Sequence, residues 1–153
     1  MARYETTIHT PWSPDRAFEY MSDLRHFADW DPGVSRAVQI LGTGPGLGST
    51  YDVTVSSPGR DLTLRYETIA FDAPRRVKVR AQSRTLVSVD VVTVAPDASD
   101  DPVHPTGATV TYTAELSLRG LLGIANPLLA LAFNRIGDRA ARGLRQALEG
   151  SER

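Results

Sequence analysis

Apolar and polar residues change their spacing twice along this chain, and each change marks a change of secondary structure. Between Arg3 and Thr10, Tyr4, Thr6 and Ile8 share one parity, which is the period of a strand whose side chains alternate across a sheet. Ser13-Pro14 is then a helix start: the serine oxygen can accept from an orphan N–H, and proline at the first helical position gives up a donor that has no partner anyway. Asp15 places a negative charge where the helix dipole favours it. Ala17, Met21 and Leu24, with Phe18 alongside, recur at three- and four-residue spacing, so this short helix buries one face. The segment LRHFADWDPG carries a further helical turn, which Pro32 and Gly33 end.

From Ser35 the period becomes two. Val38 and Ile40, then Tyr51, Val53 and Val55, then Leu62, Leu64 and Tyr66, then Val77, Val79 and Ala81 each put apolar side chains on one parity. Arg76, Lys78 and Arg80 take the other parity of the last of these. TLVSVDVVTV follows, ambiguous because Val92 and Val94 share the parity of Asp90 while Val87, Val89 and Val91 oppose it. After the polar linker APDASDDPVHPTG, Val110, Tyr112, Ala114, Leu116 and Leu118 alternate strictly. Turn residues separate the runs, which predicts an antiparallel meander with one apolar face.

Asn126-Pro127 repeats the cap-and-proline start, and no other proline follows before Leu148. Leu129, Ala132, Phe133, Ile136, Ala140, Gly143, Leu144 and Ala147 form one stripe, opposite Arg135, Asp138, Arg139, Arg142 and Arg145. A helix of that length spans about 30 Å at about 1.5 Å per residue, enough to cross six or seven strands. The pattern therefore predicts an α+β protein: a strand, two short helices, a curved antiparallel sheet of six to seven strands, and one long C-terminal helix covering it.

In the same order, the segments SPDRAFEYMSDLRHFADWDPGV, GPGLGSTYDV, YETIAFDAPRRV and GATVTYTAEL and the long terminal helix resemble the START-like superfamily. That group includes polyketide cyclase/dehydrase-like proteins, lipid-transfer START domains and the birch-pollen-allergen type. Phe27, Trp30, Pro32, Gly33 and Val34 carry its early aromatic, Trp, Pro and Gly pattern, and the likeness runs from Arg3 to Leu148. It implies a helix-grip fold with a cavity for an apolar molecule between sheet and helix, working without metal or nucleotide cofactor. It does not choose among cyclisation, dehydration, lipid carriage, sensing and co-chaperone work.

Composition narrows the field further. At 153 residues and 41% hydrophobic content the chain is expected to form one domain, 1–153. A net charge of -1 removes any global pull toward nucleic acid or anionic membranes, and the absence of cysteine removes disulfides, thiolate metal sites and a thiol nucleophile. MARYETTIHTPW carries no apolar signal run, and LLGIANPLLALAF is too short to span a bilayer, so a cytoplasmic protein without a membrane span is expected.

The glycine-rich LGTGPGLGSTYDV could be read as a phosphate loop. Read from Gly42, however, the second glycine and the lysine of a P-loop fall on Leu47 and Gly48, and the dinucleotide pattern fails from Gly42 and from Gly44. A strand, not a helix, follows it, so a turn that delivers Tyr51 to the inner face is expected. His9 sits near a strand end and His104 in the linker. His26, near Asp29 and Asp31, is a weak catalytic candidate, and a metal site there lacks a second histidine pattern. Asp90 is the other weak catalytic candidate, since an inward carboxyl would have a raised pKa. The basic strand Arg76, Lys78 and Arg80 reads as a solvated face.

The aromatics are the clearest signal. Tyr51, Tyr66 and Tyr112 fall on the inner parity of three strands, each carrying a ring inward and a hydroxyl that needs a partner. The expected function is binding of a small hydrophobic molecule such as a lipid or polyketide. Tyr51, Tyr66 and Tyr112 would meet its oxygens, Leu129, Phe133 and Ile136 would form the apolar wall, and Trp30 would be the lid. The alternatives are a cofactor-independent cyclase or dehydratase using acid-base groups of the same cavity, and an interaction module with a filled core. The expected assembly is a monomer or homodimer, and the lack of an inner-face histidine favours binding over catalysis.

Overall fold

The computed structural model describes residues 2–57, 59–97, 107–120, 123 and 126–149, with the side chains of 126–129 left aside. Strand β1 (Ala2–Thr10) leads into helix α1 (Pro14–Ser22), a 3-10 turn (Leu24–His26) and the short helix α2 (Phe27–Trp30). The remaining strands are β2 (Val34–Leu41), β3 (Thr50–Val55), β4 (Leu62–Asp72), β5 (Arg76–Gln82), β6 (Leu86–Pro96) and β7 (Ala108–Leu118), and helix α3 (Asn126–Glu149) closes the chain. Ser13 caps α1 as its sequence foretells, its hydroxyl accepting from Arg16 N–H.

All seven strands form one antiparallel sheet in the order β1-β7-β6-β5-β4-β3-β2. Helix α3 packs on its inner face, giving the helix-grip arrangement. Ala140, Leu144 and Leu148 of α3 join a core built on Ile8, Met21, Val53, Val79, Val92 and Val110. Two glycines let α3 approach closely. A Cβ at Gly143 would stand 1.8 Å from the Trp30 carbonyl oxygen, and one at Gly137 would stand 2.3 Å from the Tyr4 ring. The last turn of the helix is tied to β1 by Thr10 Oγ1, which donates to Leu148 O at 2.6 Å.

Two expectations are corrected here. Val38 and Ile40 do not share the inner face; they are 36% and 43% exposed. Pairing of Ala37 with Val53 and of Gln39 with Tyr51 turns Ala37 and Gln39 inward instead. Gln39 belongs there because its amide holds the glycine turn, donating to Gly44 O at 2.8 Å and accepting from Gly44 N–H at 3.0 Å. Ala132, placed on the apolar stripe of α3, faces outward.

The glycine-rich stretch is the β2–β3 connection, and Gly42, Gly44 and Gly48 take positive φ values that other residues rarely adopt. Tyr51, just beyond it, is fully buried on the inner face. The ambiguous strand β6 resolves with Ser88, Asp90, Val92 and Val94 inward and Val87, Val89 and Val91 only half-buried on the other side.

Candidate functional site

Between the sheet and the N-terminal half of α3 lies a cavity of about 420 Å³, within the range of small-molecule sites. Apolar side chains from β3, β4, β6 and β7 make most of its wall, including Val53, Leu64, Leu86 and Leu116. Phe27 of α2 and Phe133, Ile136 and Arg139 of α3 complete it, together with the link Asp31-Pro32-Gly33. Ile136 is 49% exposed, so it stands at the rim of the opening.

The polar part of the wall follows from strand register. Tyr66, Ala81 and Ser88 are successive partners across β4, β5 and β6. Ala81 is small enough for the Tyr66 hydroxyl to pass over it and donate to Ser88 Oγ at 2.8 Å. Asp90 pairs with Val79 on one side and with the small Ala114 on the other. Tyr112 is diagonal to Asp90 on the neighbouring strand, and its hydroxyl donates to Asp90 Oδ2 at 3.0 Å. Asp31 enters from the link before β2, where its Oδ1 accepts from Gly33 N–H at 2.8 Å.

These groups lie in a dry setting, and their proton affinities reflect it. Asp90 is only 5% exposed, and burial raises its pKa to about 7 against the opposing Tyr112 hydrogen bond, with the Asp31 charge adding to the rise. Burial also raises Asp31, against the pull of the Gly33 N–H. Tyr66 and Tyr112 are pushed well above the ordinary tyrosine value by burial first and by the Asp90 charge next. The cavity therefore holds two carboxyls biased toward the neutral form beside two tyrosines that stay protonated.

The remaining expected residues are distributed differently. Phe133 and Ile136 line the cavity as anticipated from their place on α3. Leu129 lies outside the residues whose side chains are described, and His104 outside the described residues. Tyr51, although inward, does not reach the cavity. Burial and, next, the Asp23 charge raise its pKa. Trp30 stands behind the wall and is not at the mouth: it is buried, edge-on to Phe27 at 4.9 Å and to Tyr112 at 5.4 Å between ring centres, and so backs Tyr112. His26 is outside the cavity altogether, stacked on Tyr20 at 4.3 Å and bonded to Asp29 at 3.0 Å.

Asp31 turns to the cavity while Asp29 stays with His26, so the three are not gathered. Among the described residues no group of three or more His, Asp or Glu side chains is placed to hold a metal ion. The glycine turn borders a different, open groove with Trp12, Tyr20 and His26, away from the cavity. Arg76 and Arg80 are exposed, as a solvated strand face requires.

Sequence reasoning set Asp31 only beside His26 at the possible cavity rim, and it missed Arg139. For Asp31 the available signal was Asp followed by Pro-Gly, a turn in which the carboxyl can accept a backbone N–H two residues on. Arg139 gave none, since it reads as part of the polar face of α3.

Solved structures share this fold at low sequence identity. A START superfamily protein from Mycobacterium smegmatis superposes with a TM-score of 0.75 at 10% identity, covering 97% of each chain. The Zhui aromatase/cyclase of Streptomyces sp. R1128 gives 0.70 at 13% identity, covering 95% of this chain and 90% of that one. Major latex-like protein 151 of Panax ginseng gives 0.62 at 13% identity, covering 96% and 97%. A comparison with curated proteins found no match. Among the described residues no helix is long and apolar enough to cross a membrane. Over residues 1–149 the sequence matches the model of the polyketide cyclase/dehydrase and lipid transport family, and the chain belongs to that family.

Proposed function

We propose that the protein binds a small, mainly apolar molecule in the cavity beneath α3, with the polar end of the ligand set against Asp90, Tyr112, Tyr66 and Ser88. The observation that carries this reading is a largely apolar space of about 420 Å³ into which the sheet brings the hydrogen-bonded pairs Tyr66–Ser88 and Tyr112–Asp90. Membership of a family whose description includes lipid transport supports the ligand class. Native mass spectrometry of the protein purified from its own host tests it. A co-purifying small molecule that is lost on denaturation is the expected result, and a bare chain that also fails to take up a neutral apolar fluorophore overturns it.

A second reading draws on Asp90. A carboxyl with a pKa of about 7 inside a ligand cavity can take a proton and return it near neutral pH, as cyclisation or dehydration requires. In this reading Asp90 removes a proton next to a substrate carbonyl or delivers one to a departing hydroxyl, and Tyr112 steadies its carboxylate. The two readings separate on recovery of the bound molecule after incubation: a carrier returns it unchanged, and an enzyme returns it with water lost or a ring closed.

A further inference from the structure

Donors and acceptors around the cavity are unevenly matched, and the imbalance bears on what the ligand must offer. Tyr112 commits its hydroxyl proton to Asp90, and Tyr66 commits its own to Ser88. Facing the ligand there remain the tyrosine oxygens, the second oxygen of Asp90 and the second oxygen of Asp31, whose first is taken by Gly33 N–H. With both carboxyls ionised, the hydroxyl protons left over among the described lining residues are those of Ser88 and Ser56. Among the described residues no Arg, Lys or His nitrogen lies within ion-pair distance of either carboxyl, and Arg139, though part of the lining, is exposed at the opening. The rings of Phe27, Tyr66, Tyr112 and Phe133 line the same space.

We infer that the cavity takes an apolar ligand bearing a protonated amine, whose N–H groups are received by Asp90 and Asp31, and that it discriminates against apolar ligands ending in a carboxylate. This deepens the binding reading above and rests on it. An ammonium supplies N–H donors and a positive charge to the inner end of the cavity, away from Arg139 at the rim, and its bonds to the ionised carboxylates repay part of its desolvation. A carboxylate would be set against two acidic side chains, with the hydroxyls of Ser88 and Ser56 and the rim residue Arg139 as its donors among the described lining residues.

Displacement of the neutral fluorophore N-phenylnaphthylamine by decylamine, decanol and decanoate at pH 8 tests the inference. The expected order is amine first, by about tenfold or more over the alcohol, with decanoate weakest. Asp90→Asn and Asp31→Asn should each shrink the amine's lead over the alcohol, read as the ratio of the two midpoints on the same variant. Equal midpoints for amine and alcohol on the unaltered chain, or a decanoate preference through Arg139 at the rim, overturn the inference while leaving the cavity as a binding site. Fluorophore that never binds overturns both. Because the ranking on the unaltered chain decides the matter, a variant that fails to fold does not shelter the inference.

Discussion

Replacing Asp90 with Asn should make the protein more stable at pH 8 than the natural chain, and the gain should shrink as the pH falls. The folded-state pKa of Asp90 is raised from 3.8 to about 7, so between those limits the folded state holds a proton that the unfolded chain has released. Stability attributable to this group is complete below about pH 4, declines as the pH rises, and is lost above about pH 7, where ionisation of a buried carboxyl costs about 4 kcal/mol. Asn keeps the shape and still accepts the Tyr112 hydrogen bond without that cost. Urea unfolding of both proteins at pH 5 and pH 8 isolates the effect, because the other acids are common to both and largely cancel. The advantage of Asp90→Asn at pH 8 should exceed its advantage at pH 5 by about 2 to 3 kcal/mol. A difference below about 0.5 kcal/mol, or one of opposite sign, would show that Asp90 is not held neutral inside the fold and would refute its inward placement.

Two other substitutions probe the surroundings of the site. Gly143→Ala gains about 1 kcal/mol of helix propensity but drives a methyl against the Trp30 carbonyl oxygen, a backbone atom that cannot step aside, so a net loss of about 1 to 2 kcal/mol is expected in denaturant unfolding. Gln146→Ala on the exposed side of the same helix, as a control, should stay within about 0.5 kcal/mol of the natural chain. Tyr112→Phe removes the hydrogen bond that favours the Asp90 carboxylate, so carbon-13 NMR titration of the Asp90 carboxyl should move its pKa above that of the natural chain.

Much of the architecture was legible because periodicity reports which side of an element is buried. Ser13-Pro14, the alternation of β5 and β7 and the stripe of α3 all translate directly into observed elements. Strand β2 shows where that logic stops: Val38 and Ile40 are apolar yet outward, since the inner place is taken by Gln39, whose amide is needed to hold the glycine turn. For β6 both parities carry valines, and only the pairing with β5 and β7 decides that Asp90 is inside.

The site was less legible, because parity does not say which region of the inner face a helix covers. Tyr51 and Tyr66 are direct partners across β3 and β4, yet Tyr66 reaches the cavity and Tyr51 does not. Trp30 looks like a lid in sequence because it is a large aromatic before a Pro-Gly turn. Its seat behind Tyr112 depends on α3 lying close above it, a contact between residues far apart in the chain that Gly143 makes possible.

Binding beneath α3 is the central claim, and methyl NMR during titration with N-phenylnaphthylamine tests it most directly. The ring currents of the fluorophore should shift the methyl signals of Val53, Leu64, Leu86 and Leu116, which line the cavity, and leave those of Val38 and Ile40 on the outer face unmoved. Shifts confined to the exposed methyls of Val38, Ile40, Leu41 and Leu47, or no shifts at all, would contradict it.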